Sequence, residues 1–156
     1  MSTSRSLAPA DSEALRLDTF LPYRLSVLAN RVSRAIAARY EAEFNLTIPE
    51  WRVMAVLGET SERTAGAIAD ATEMDKVAIS RAVARLKAAG RIAARSDAGD
   101  QRRTHLSLTA EGRAIYRRIV PLARAYERRL LDALTAQDQA QLDALLQRLT
   151  LAARAL

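Results

Sequence analysis

The hydrophobic period of the chain changes twice between residues 64 and 134, and this double change restricts the fold more than any other feature. The stretch "TAGAIADATEMDKVAISRAVARLKAAG" holds two helical patterns, broken at "TEMD" and stopped at Gly90. The first predicts a short helix over about 64–71 with Ile68 and Ala69 inward, the second a helix over about 75–89. Two short alternating segments follow, "RIAARS" and "RTHLSL", joined by "DAGDQR", which is the pattern of a β-hairpin. At Thr109, a capping residue, the helical spacing returns and predicts a helix over about 110–134.

The helix expected over 75–89 has two unlike faces. Ile79, Val83 and Leu86 fall in one narrow sector, and Val77, Ser80, Arg81, Ala84 and Ala88 point the other way. An ordinary solvated face is usually covered in Glu and Lys. Small residues with one long arginine suit close approach to a groove.

Helix is expected to dominate the rest. Residues 1–16 are polar and small, with Pro9 and no sustained period, as in a flexible arm. From about residue 17, Leu21, Leu25, Leu28, Val32, Ile36 and Tyr40 recur at helical steps. Pro22 suits a first turn, so this helix is expected to begin near Leu21 and run to about Phe44, with Asn45 as a left-handed cap. "TIPE" follows capping-box logic through Thr47 and Glu50, and opens a short helix carrying Trp51, Met54, Ala55 and Leu57 that is expected to stop near Gly58. In the helix over 110–134, Ile115, Ile119, Leu122, Tyr126 and Leu130 line one side. Pro121 is expected to kink it, because the bond back to Arg117 is lost. "TAQD" restarts a last helix whose stripe is Leu142, Leu145, Leu146 and Leu149. The expected fold class is therefore mainly α with a small β wing.

The net charge of +6 is local. Between residues 75 and 103, eight basic residues (Lys76, Arg81, Arg85, Lys87, Arg91, Arg95, Arg102, Arg103) oppose three acids, whereas between 41 and 73 seven acids oppose two arginines. Basicity concentrated in this way is the footprint of a nucleic-acid face, although charge runs also occur as plain solvated surface. The absence of cysteine excludes disulfides and thiolate metal sites. The single histidine, His105, reads as a sheet or surface residue and cannot build a His-rich metal site. No nucleophile–base pair, glycine-rich phosphate loop or ligand cluster is visible, so neither an enzyme, a metal site nor a cofactor is expected. "MSTSRSLAPADSEALRLD" lacks the apolar region of a signal peptide, and no apolar run approaches the ~18 residues of a membrane span. A cytoplasmic protein with no membrane partner is expected.

Short helix, turn, second helix, glycine and two-stranded hairpin, in that order, make a winged helix-turn-helix. In that arrangement the outer face of the helix over 75–89 enters the major groove of duplex DNA. There Arg81 can donate to guanine O6 and N7, and Ser80 and Lys76 can reach base edges or phosphates. The hairpin tip lies near the adjacent minor groove, where a narrow groove deepens the negative potential.

These residues also resemble a known family. "DKVAISRAVARLKAAGRI" followed by "DAGDQRRTHLSLTAEGR" is similar to the MarR family of bacterial transcriptional regulators. The matching features are the pair Ser80 and Arg81, the Leu-x-x-x-Gly ending of Leu86 and Gly90, the wing Asp-x-Arg of Asp100 and Arg102, and the Leu-Thr-x-x-Gly of Leu108, Thr109 and Gly112. "FNLTIPEWRVMAVL" resembles the family's approach to its second helix, and the likeness covers about residues 17–154.

The resemblance implies that Arg102 inserts into the minor groove while Asp100 holds its guanidinium in place. Gln101 stands where members often carry a further arginine, and Arg103 either replaces that charge or does not. The implied DNA-contacting set is Thr64, Lys76, Val77, Ser80, Arg81, Arg85, Arg95, Asp100, Gln101, Arg102 and Arg103. Also implied is a homodimer: a single domain over 17–156, with 17–45 and 113–156 as N- and C-terminal dimerisation helices around a DNA-reading lobe over 47–109. The sequence supports a dimer independently, because Leu21, Leu25, Ile119, Leu130, Leu142 and Leu149 are more apolar stripe than a small lobe can cover. A two-fold dimer selects an inverted-repeat operator.

Members of the family commonly bind aromatic carboxylates, phenols or their thioesters between the dimerisation helices and the lobe. The matching candidates are Asn30, Arg31, Arg34, Trp51, Arg52 and Met54. Trp51 and Met54 in such a pattern are more often simple core, with the effector pocket as the minority reading, and an arginine on a dimer helix is more often solvated or paired with a glutamate than bound to a ligand. The expected function is a repressor of its own or an adjacent operon, released by such an effector. The alternatives are a DNA-binding regulator with no effector, and a partner-binding helical module, which the hairpin opposes.

Overall fold

The computed structural model describes residues 14–96, 99 and 104–155. The elements are α1 (Leu21–Phe44), α2 (Ile48–Thr60), α3 (Ala65–Thr72), α4 (Lys76–Ala88), β1 (Ile92–Ser96), β2 (Thr104–Leu108), α5 (Ala110–Leu131) and α6 (Ala136–Ala153). Two compact units meet inside α1, between residues 35 and 36.

In the first unit α1 opens at Leu21 with Pro22 in its first turn. The turn before it is closed by the backbone N–H and hydroxyl of Thr19, both donating to the Arg16 carbonyl. Arg16 pairs with Asp18 at 2.9 Å and holds that carboxyl below the usual carboxylate range. Leu21, Leu25 and Leu28 of this unit are exposed.

The second unit is organised by its helix starts. Thr47, Thr64, Asp75, Thr109 and Thr135 each cap a helix by accepting from backbone N–H groups two or three residues on. Each such cap contributes about 1 kcal/mol. Asn45 takes the left-handed conformation after α1 (φ 50°), as its side chain allows. The core comprises Tyr40, Leu46, Val53, Met54, Leu57, Ile68, Ile79, Leu86 and Ile119, with Ile92, Leu106 and Leu108 from the hairpin.

β1 and β2 pair antiparallel, from Ile92 opposite Leu108 to Ser96 opposite Thr104. Arg63 adds a bridge to Leu106 through backbone bonds of 3.0 and 2.8 Å, which ties the wing to the loop between α2 and α3. At the wing base the Thr109 hydroxyl donates to the Gly90 carbonyl at 2.7 Å and its N–H to the Arg91 carbonyl at 3.1 Å. Gly90 makes the turn out of α4 with φ 69°. Gly112, in the first turn of α5, packs directly on the Arg91 backbone, where a Cβ would lie 2.9 Å from the carbonyl carbon and closer still to its oxygen.

Three expectations need correction. Helix α2 continues past Gly58 to Thr60, because Gly58 accommodates the Tyr116 ring and does not break the helix. Helix α5 ends at Leu131, short of residue 134. There the Gln139 side chain of α6 donates to the carbonyls of Leu131 and Leu134, satisfying acceptors that a longer helix would have used. Ile119 is 1% exposed and belongs to the core, so it is not available to a dimer stripe. Pro121 lies inside α5, which remains one element around it. Leu130, Leu142, Leu145, Leu146 and Leu149 remain 39–51% exposed.

Candidate nucleic-acid interface

Helix α4 is fixed from both ends and from beneath. The Asp75 carboxylate accepts from the N–H groups of Val77 and Ala78 at 2.8 and 3.0 Å. Ile79, Ala82 and Leu86 are buried. This pattern turns Lys76, Val77, Ser80, Arg81, Ala84, Arg85 and Ala88 outward, all exposed. Val77 is 57% exposed, a branched apolar side chain among the small and polar residues of that face. Lys76 and Arg81 form no ion pair with any described residue.

The other expected contacts are disposed differently. Thr64 caps α3, its hydroxyl oxygen accepting from Ala67 N–H at 3.2 Å. Arg85 sits with its Nε 3.0 Å from an oxygen of Glu50, which is buried. Arg95 pairs with Glu62 at 3.0 Å on the surface of the wing, a contact worth under about 1 kcal/mol. Asp100, Gln101, Arg102 and Arg103 lie outside the described residues.

Arg91, which carries part of the local basic charge, is turned inward. It donates to the Phe44 carbonyl at 2.6 Å, and its Nε is buried without an acceptor. Arg118 pairs with Glu43 and lies over the Phe44 ring, 4.7 Å from its centroid. The long-range ion pairs among the described residues thus join Glu43, Glu50 and Glu62, all from the acidic stretch, to arginines further along the chain.

The effector candidates are not gathered within either unit. In the first, Arg31 lines a cleft of about 420 Å³ with Leu17, Leu21, Leu25 and Leu28, and the exposed Asn30 and Arg34 do not line it. In the second, Trp51 stands between the rings of Tyr40 and Tyr116, with centroids at 5.8 and 5.9 Å. Burial pushes the Tyr40 hydroxyl up to about 12, so it stays protonated. Met54 is fully buried and is core. Arg52 is half-buried. Sequence reasoning saw Glu50 as a cap but missed its contact with Arg85, for which no local signal exists.

Among the described residues no cluster of His, Cys, Asp or Glu could hold a metal ion, and no helix is long and apolar enough to cross a membrane. Helices packed under an outward-facing basic helix, followed by a two-stranded wing, define a winged-helix DNA-binding protein. The MarR family model matches residues 44–103. The chain is 32% identical to a probable transcriptional regulator from Pseudomonas aeruginosa, over 86% of this chain and 99% of that one, with a TM-score of 0.71. It is 26% identical to a MarR/EmrR family transcriptional regulator from Acinetobacter sp. ADP1, over 91% and 100% of the two chains, with a TM-score of 0.84. The fold is also shared with BpsR from Bordetella bronchiseptica, at 22% identity and a TM-score of 0.76 over 87% and 96% of the chains; that structure concerns regulation of BpsR's DNA binding by 6-hydroxynicotinic acid. No curated protein matches the chain. The chain belongs to the MarR family: it is a DNA-binding transcriptional regulator, and not an enzyme.

Proposed function

We propose that the protein is a homodimeric repressor of its own or an adjacent operon, released by a small aromatic acid, a phenol or a related thioester. The observation that carries the DNA-reading part is the outward face of α4, where Lys76, Val77, Ser80 and Arg81 stand exposed on a helix fixed by its cap and its buried side. In this reading α4 lies in the major groove, Arg81 reads a guanine, Val77 meets a thymine methyl group and Lys76 meets a phosphate. The wing carries Arg102 into the minor groove with Asp100 as its brace, flanked by Gln101 and Arg103. Residues 47–109 form the reading lobe, 17–45 and 113–156 the dimerisation part, and 1–16 an arm. The exposed leucines of α6 support the dimer.

Replacing Arg81 by alanine is expected to cost about 1–3 kcal/mol of operator affinity and to relax base preference at one half-site position. The measurement is binding to the upstream intergenic duplex located by footprinting, and to single-base variants of it. Equal weakening on every sequence would make Arg81 a phosphate contact. Arg102→Ala is expected to weaken binding while leaving the thermal melt and the oligomeric state unchanged; unaltered operator affinity would remove the wing assignment.

The effector reading is supported by the aromatic acid associated with BpsR and by the arginines of α1. Effector binding would favour a spacing of the two recognition helices that no longer matches the operator. A thermal-shift screen with aromatic acids and their coenzyme A thioesters is expected to find compounds that both stabilise the protein and release the duplex. Stabilisation and release by none of them would favour a regulator without an effector.

A further inference from the structure

Glu50 is the charged residue buried among the described residues, 3% exposed, and base reading makes no use of it. Both of its carboxylate oxygens are engaged. One accepts from the backbone N–H and the hydroxyl of Thr47, each at 2.7 Å. The other faces Nε of Arg85 at 3.0 Å. A capping box needs only the reach back to its own first residue, whereas here the second oxygen reaches a different helix.

A buried carboxylate is tolerated when it is paired and hydrogen-bonded, so the contact with Arg85 is part of what keeps the charge in place. The arginine gains as well. Arg85 lies one helical turn beyond Arg81 on α4, and its side chain is 59% exposed. A long side chain on a helix surface samples many rotamers, and each must be given up when it grips a ligand. Pairing the guanidinium at Nε with a fixed carboxylate restricts that freedom and leaves its terminal N–H donors to take a phosphate as a planar fork.

The geometry points to Glu50 as a positioning residue for DNA binding, acting through Arg85. Its carboxylate, locked by Thr47, sets the guanidinium beside Arg81 for the sugar–phosphate backbone. This rests on the placement of α4 proposed above.

The test is the affinity of the full chain for a duplex selected from a randomised pool, measured by fluorescence anisotropy with thermal melts as a folding control. Removing an acid beside the DNA-facing helix should tighten binding if charge alone mattered. Positioning gives the opposite sign: Glu50→Ala is expected to weaken binding about tenfold, as is Arg85→Ala, with no further loss in the double variant. Arg85→Lys keeps the charge but lacks the fork and is expected to behave like Arg85→Ala, which keeps the question decidable if Glu50→Ala does not fold. Unchanged or tighter binding by Glu50→Ala overturns the proposal, as do additive losses in the double variant or full affinity in Arg85→Lys. Arg81→Ala separates the two levels. If Arg81→Ala weakens binding and Arg85→Lys does not, only the role of Glu50 falls. If neither Arg81→Ala nor Arg85→Ala has an effect, the placement of α4 falls with it.

Discussion

Gly112→Ala is expected to be the most damaging single-methyl change in the chain. The added Cβ would lie 2.9 Å from the Arg91 carbonyl carbon, against backbone that cannot rotate away as a side chain could. The same short segment is crowded with caps. Gly112 N–H donates to the Thr109 hydroxyl, that hydroxyl donates to the Gly90 carbonyl, and Thr109 N–H donates to the Arg91 carbonyl. Relieving the clash means lifting α5 off the base of the wing and breaking these bonds together. A loss on the order of 3 kcal/mol follows, or a fall in melting temperature of roughly 10 °C. Differential scanning calorimetry checks it; a melting point within a degree or two of the parent would mean that the Arg91 backbone yields at no cost. Gly112 is also the last position of the Leu-Thr-x-x-Gly pattern, and its physical reason is this contact.

Leu146→Glu is expected to separate the subunits of the proposed dimer. Leu146 lies on the α6 stripe with Leu142, Leu145 and Leu149, and is 45% exposed in the single chain. In a two-fold interface each substitution counts twice, and each buried leucine is worth about 1.5–3 kcal/mol before the cost of a buried carboxylate is added. The dimer dissociation constant should rise on the order of a thousandfold or more. Sedimentation equilibrium would show a monomer at micromolar concentration, and operator affinity should collapse with it, because one recognition helix reads only a half-site. A variant that remains dimeric would remove α6 from the proposed interface.

What was legible in the sequence was whatever is decided within a few residues. The caps at Thr47 and Thr109, the left-handed Asn45 and the two faces of α4 follow from local hydrogen bonding and helical spacing, and the structure places them as expected. Helix ends were harder, because tertiary neighbours decide them. Gly58 stays inside α2 under Tyr116, and α5 gives up its last turn to Gln139 of α6. Ile119 shows the limit of periodicity: a stripe reports that a face is apolar, and says nothing of whether the same chain or another copy covers it. Contacts between distant side chains were not legible at all. Glu50 and Arg85 are 35 positions apart, and only the packing of α2 against α4 brings them together. The effector candidates depended on a pocket whose walls no local pattern fixes, and Met54, drawn from that set, proved to be core.

The ion pairs also set how strongly dissolved salt can govern this regulator. Of the described basic residues between 75 and 103, Arg95 already faces a carboxylate on the surface and Arg91 is bound to the Phe44 carbonyl, which leaves Lys76, Arg81, Lys87 and the terminal donors of Arg85 to meet a duplex. Counterion release follows the charge a duplex meets, at about 0.9 ions per phosphate neutralised, and not the number of arginines in the chain. The protein therefore presents a lower effective valence than its basic segment advertises. Its grip on DNA should fade more gently with ionic strength, and lean more on shape and base contact, than the isoelectric point alone would indicate.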